Sequence, residues 1–134
     1  MPDTFHEFEE LLRAYRKSSV LLTAFDLGIF RALTDGPLSI SQIEQQLGYS
    51  KRGIGALLTA LSAMNVINIS DNRYQINPEI AAFLNPASKQ YAGGQIEHEI
   101  YLHKRWQYLS ESVKTGEPSR RDSDSEETTR RIHV

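Results

Sequence analysis

"SISQIEQQLGYSKRGIGALLTALSAMNVINISDNRYQIN", residues 39–77, is the stretch whose reading decides the fold. Ser39 or Ser41 can cap a short helix that holds Ile43 and Leu47 and stops at Gly48, since a serine hydroxyl accepts from the unpaired N–H groups of a first turn. Ser50 caps a second helix from 51 to about 65, with Ile54, Leu57, Leu58 and Leu61 inward and Gly55, Thr59, Ser62 and Ala63 outward. "VINIS" and "RYQIN" are β-rich runs around Asp71-Asn72, a pair that tolerates the positive φ of a tight hairpin. Helix, tight turn, helix and β-ribbon is the order of a winged helix-turn-helix, with the ribbon as a two-stranded β wing.

Upstream, helical periodicity begins at once. Phe5, Phe8, Leu11, Leu12 and Tyr15 share one stripe, with Thr4 as N-cap and Glu7 completing a capping box. "SSVLLTAFDLGIFRAL" reads as a second, far more apolar helix, bent or tightly packed at Gly28. "TDGP" (34–37) is a turn. Downstream, "PEIAAFL" (78–84) reads as a short helix with Pro78 in its first position. A Gly-Gly pair (93–94) precedes a long helix over 95–115 through Ile96, Ile100, His103, Trp106, Leu109 and Val113, closed by Gly116 and Pro118. From Glu117 the text is polar, and Ser123 with Glu126 offers a capping box for a helix that has barely begun when the sequence stops at Val134. The fold expected is mainly α: a winged helix preceded by two association helices and followed by a long helix. The divisions are 1–17, 18–87, 88–116 and 117–134, with no internal repeat.

The totals restrict function. A chain of 134 residues with net charge −2 makes about one domain and exerts no long-range pull on phosphate or an anionic membrane. The absence of Cys excludes disulfides and thiolate chemistry and suits the cytoplasm. The start is amphipathic and acidic, unlike a leader peptide, and no apolar run is long enough to span a bilayer.

A DNA reader needs phosphate clamps and base-reading side chains. Residues 39–77 carry Lys51, Arg52 and Arg73 against Glu44 and Asp71, and the outward side chains of the second helix are small. Lys51 and Arg52 oppose the helix dipole, either as a solvated pair beside Ser50 or for some purpose. A small winged-helix transcription regulator is therefore the weaker alternative, and neither nucleic acid nor membrane is expected as a partner. The leading helices hold more apolar surface than one small domain covers. Phe5, Phe8, Leu12, Tyr15, Val20, Leu21, Leu22 and Phe25 form the expected interface of a homodimer, unless the last helix folds back over them.

The series "DLGIF", "SISQIEQQLG", "GIGALLTALSAMNVI", a wing ending in Tyr74 and "INPEIAAFL" resembles the N-terminal domain of S-adenosylmethionine-dependent O-methyltransferases, the plant caffeate and flavonoid type and the bacterial polyketide-tailoring type. "YAGGQIEHEIYLHKRWQYLSESVKTGEP" resembles that family's next segment, so the likeness covers roughly residues 18–118. It implies a domain that intertwines with its counterpart to form a dimer and supports the pocket for a small, aromatic or polyketide hydroxyl acceptor. S-adenosylmethionine and the catalytic residues would belong to a following domain whose glycine-rich loop this sequence does not contain; "YAGGQ" lacks the spacing of a nucleotide-binding fingerprint. This chain alone is expected to be inactive, with no catalytic, cofactor-binding or metal-binding residue of its own.

Of the four histidines, His98 and His103 are five apart on one helix, so they do not form an i,i+4 metal clamp. The resemblance implies that Tyr91, His98, Tyr101, His103 and Trp106 wall the acceptor pocket. Trp106 also continues the Ile96–Ile100–Val113 stripe, which would put it in the core, and the histidines also read as hydrogen-bonded surface groups.

Overall fold

The computed structural model describes residues 4–118. Eight helices and one hairpin follow in order: α1 (Thr4–Arg13), α2 (Tyr15–Asp26), α3 (Ile29–Leu33), α4 (Ile40–Leu47), α5 (Lys51–Ala63), β1 (Ile67–Ser70), β2 (Arg73–Ile76), α6 (Ala81–Leu84), α7 (Gly93–Trp106) and α8 (Leu109–Thr115). The architecture is thus mainly helical with one two-stranded antiparallel sheet. The expected capping box of a helix beginning at Ser123 lies outside the described residues, as does His133.

The quoted stretch folds around its caps. Ser39 Oγ accepts the Gln42 N–H at 3.2 Å while Gln42 Oε1 accepts the Ser39 N–H at 2.8 Å, so of the two serines Ser39 starts α4. Gly48 ends it in the left-handed region. Ser50 Oγ accepts the Gly53 N–H at 3.1 Å to open α5. That helix stops slightly earlier than expected. Asn65 takes a positive φ of 61°, and Val66 and Asn65 donate back to the Leu61 and Ser62 carbonyls, closing the last turn. Asp71 and Asn72 both adopt positive φ, pairing Ile67 with Ile76 and placing both in the core. An antiparallel bridge between Leu38 and Tyr74 ties the approach to α4 onto β2.

The core gathers Ala24, Ile29, Phe30, Ile43, Leu58 and Leu61 from α2 through α5 and closes on the hairpin. Gly55 and Ser62 depart from the outward placement expected of them. Both are half-buried, Gly55 against α4, where an added Cβ would meet Ile40 Cδ1 at 3.3 Å. Thr59 and Ala63 do face outward.

Two helices expected to be continuous are divided, and a third starts late. Gly28, at φ 89°, separates α2 from α3, a conformation that a side-chain-bearing residue adopts only with strain. Pro78 does not open a helix. Asn77 Oδ1 accepts the Glu79 N–H at 3.0 Å, and this side-chain turn postpones α6 to Ala81. The last long helix breaks at Gln107–Tyr108, where N–H groups reach back three residues, to Lys104 and Arg105, rather than four. No glycine or proline marks that break, so periodicity alone reads through it.

Candidate functional site

Ala14 joins α1 to α2 in right-handed helical geometry (φ −55°, ψ −31°), so α1 extends the line of α2. Its polar side is held by i,i+4 contacts, Arg13 to Glu9 and His6 to Glu10, each 3.0 Å. Its apolar side is bare: Phe8, Leu11, Leu12 and Tyr15 are 53–77 % exposed, and α1 buries no residue. Burying large apolar side chains is worth roughly 1.5–3 kcal/mol each, so this stripe leaves substantial apolar surface in water.

The eight residues assigned to an interface divide in two. Phe5, Phe8, Leu12 and Tyr15 are exposed on α1 and the first position of α2. Val20, Leu21 and Phe25 are half-buried and pack against the chain's own core, and Leu22 is half-buried beside them. The last helix does fold back, with α7 against α2, but it covers α2 rather than the α1 stripe.

A second feature went unforeseen. Val20, Thr23 and Leu27 of the α2 segment face Ala56, Leu57 and Ala60 of α5 across an apolar cleft of about 510 Å³. Tyr49, Ser50 and Gly53 complete it at the N-terminal end of α5. The small residues Gly53, Ala56 and Ala60, recurring every three or four positions, are the signal for it.

The five residues assigned to a pocket wall are distributed over α7 and its approach. Tyr91 folds over Gly93, so that a Cβ added there would collide with the Tyr91 ring. His98 stacks on Tyr101 with ring centroids 6.3 Å apart, and Arg105 donates to the Tyr101 hydroxyl at 2.9 Å. Spacings of three and four put these three on one face. His103 is half-buried, one helical face from that row. Trp106 does not join the core. It is 66 % exposed and lines a separate surface hollow of about 260 Å³ with Leu102, Leu109 and Pro118. Ile96 packs against the core and Ile100 is buried, whereas Trp106 and, beyond the break at 107, Leu109 and Val113 are exposed. Among the described residues no group of three or more His, Asp or Glu converges as a metal site, and no helix is long and apolar enough to cross a membrane.

A small helical body with a bare apolar arm and a hairpin describes a helical association module. The chain belongs to the O-methyltransferase dimerisation domain family, whose model matches residues 9–86. It is 31% identical over 105 residues to the 3-hydroxy-5-methyl-1-naphthoate 3-O-methyltransferase of Streptomyces sahachiroi, covering 78% of this chain and 30% of that protein. It is 28% identical over 109 residues to the N,N-dimethyltransferase OxyT of Streptomyces rimosus, covering 81% and 32%. The S-adenosyl-L-methionine-dependent methyl transferase PigF of a Serratia strain is 29% identical over 104 residues, covering 77% of this chain and 30% of that protein. A solved structure of PigF with SAH matches at a TM-score of 0.73 with 25% identity, covering 85% of this chain and 34% of that one. The chain thus spans about a third of the length of these relatives.

Proposed function

We propose that this chain pairs with a second copy of itself through α1 and α2, and in doing so supports the acceptor pocket of a small-molecule methyltransferase. The observation that carries the proposal is the bare stripe of Phe8, Leu11, Leu12 and Tyr15 within a chain of the dimerisation-domain family. Covering it in a two-fold pair removes the same apolar surface from water twice. On this reading the β1–β2 hairpin and α4–α5 form a winged helix used as scaffold, and no duplex DNA is bound.

The relatives' names support S-adenosylmethionine as methyl donor and an aromatic or polyketide hydroxyl as acceptor. OxyT, named as an N,N-dimethyltransferase, is a reminder that the matched domain also accompanies transfer to nitrogen. The donor would be held by residues outside this sequence. Tyr91, His98, Tyr101, His103 and Trp106 are proposed as the pocket side of this domain, where flat rings stack on a flat acceptor.

Sedimentation equilibrium tests the pairing. A two-copy mass at micromolar concentration is expected, and a well-folded single-copy species at tens of micromolar would overturn it. Titration calorimetry of the chain with S-adenosylmethionine should give no binding heat, so a micromolar affinity would place the donor site within these residues.

A further inference from the structure

We infer that the α2–α5 cleft is a binding site for a small aromatic acid, with its ring system between the two helices and its carboxylate at Arg52. This goes beyond the homodimer reading: the cleft shares no residue with the bare α1 stripe and is built by a single protomer. Three observations point to that occupant.

The first is size and polarity. The cleft's volume of about 510 Å³ falls within the roughly 300–1,000 Å³ of small-molecule pockets. Its walls are almost wholly apolar, and no acidic side chain is among those that line it. Water held against such walls is poorly ordered, so an apolar ring gains by displacing it.

The second is shape. Gly53, Ala56 and Ala60 follow one another at spacings of three and four and give α5 a wall without protruding side chains. Val20 and Leu27 stand opposite, and Tyr49 offers a ring face at the N-terminal end of α5. A smooth wall and an aromatic end suit a flat ring system better than a flexible chain.

The third is charge. Arg52 precedes Ala56 by four residues, so it stands directly beside that wall on the α5 surface. It is exposed, has no ion-pair partner among the described residues, and opens a helix whose dipole opposes a cation there. A carboxylate on the ligand offsets that cost, since a guanidinium pairs with it through two parallel hydrogen bonds. Lys51, about 100° further round α5 from the cleft, stays in solvent. The purpose the sequence left open for this pair of cations therefore falls to Arg52.

Equilibrium dialysis of the whole 134-residue chain against 2-naphthoate tests the site. One molecule is expected per protomer, with a dissociation constant below about 1 mM. Neutral 2-naphthamide should bind about 2- to 5-fold more weakly, the range of an exposed ion pair, and Arg52→Gln should erase that preference. Ala56→Trp and, on the opposite rim, Thr23→Trp fill the cleft from exposed positions. Each should abolish uptake while circular dichroism shows unchanged helix content. Decanoate binding as tight as that of 2-naphthoate overturns the aromatic assignment, and an anion preference that survives Arg52→Gln overturns the role of that residue. Uptake that survives both tryptophan variants places the probe elsewhere and overturns the site. So does a folded chain that takes up no 2-naphthoate at millimolar concentration; if the tryptophan variants then also weaken pairing in sedimentation, protein fills the cleft instead. The homodimer fails separately, because a monomer that binds the probe loses the pairing and keeps this site.

Discussion

Helices α1 and α5 are of similar length and both carry an apolar stripe, yet α5 buries Ile54, Leu58 and Leu61 while α1 buries nothing. The difference is not local chemistry. Each has an amphipathic pattern that a helix would reward with burial. What separates them is what lies opposite. α5 faces α2, α4 and β1 and has both ends closed, by Ser50 at one and Asn65 at the other. α1 buries none of its residues among the described ones and continues directly into α2. Continuity with α2 through Ala14 supports α1 as a helix, but it leaves the apolar stripe of α1 in water. The comparison teaches that the two stripes have different roles among the described residues: α2–α5 with the hairpin form the core, and α1 carries apolar surface that, on the proposed function, a partner covers.

Substitutions can break this division if it is wrong. The largest effect is expected at Leu58, which is fully buried at the centre of the core. Leu58→Ala should cost about 2–5 kcal/mol in urea unfolding, through lost transfer energy and the cavity left behind. Next is Phe8→Glu on α1. It should leave the protomer's helical content intact while weakening self-association by on the order of a hundredfold in sedimentation, because the apolar contact is lost at two symmetric places and replaced by a charge. If Phe8→Glu instead unfolds the chain, α1 belongs to the folding unit and the division fails.

Legibility in the sequence followed the same line. The capped elements were readable: Ser39 and Ser50 as starts, Gly48 as a stop, Asp71-Asn72 as the hairpin turn. These signals are short-range and chemically specific. The breaks that were missed have no such marker or a misleading one. Asn65 ends α5 in a role more often given to glycine, Asn77 uses its side chain to delay a helix that Pro78 is fit to begin, and Gln107–Tyr108 bend an otherwise uninterrupted pattern. On the candidate surfaces, the α1 stripe was legible because periodicity reports one face of one helix. The cleft was not, since it exists only when α2 and α5 are set side by side. Trp106 was expected in the core, but six residues beyond Ile100 it falls about 240° round α7 and its ring is exposed.

Smaller effects sharpen the comparison at the boundary of the body. Gly93 is buried beneath the Tyr91 ring, leaving no room for a methyl group unless the ring moves. Gly93→Ala should therefore destabilise by about 1–3 kcal/mol as an overpacking change, despite alanine's better helix propensity. The double variant with Tyr91→Ala separates the two terms. Once the ring is gone, adding Gly93→Ala should be neutral or slightly stabilising relative to Tyr91→Ala alone, so a double-mutant cycle by urea unfolding should show coupling of opposite sign to the single change.

The smallest effect lies at Ser50, and it bears directly on how the two helices differ. Its hydroxyl caps α5 through Gly53 and is exposed, so Ser50→Ala removes one hydrogen bond without opening a cavity. The loss should be about 1 kcal/mol in urea unfolding. Because α5 is also held by tertiary packing, the variant should remain folded and cooperative, with an unchanged denaturant slope. A loss of cooperativity confined to α5 would mean that its local closure, rather than its buried face, keeps it in the body. The contrast with α1 would then rest on capping and not on what each helix faces.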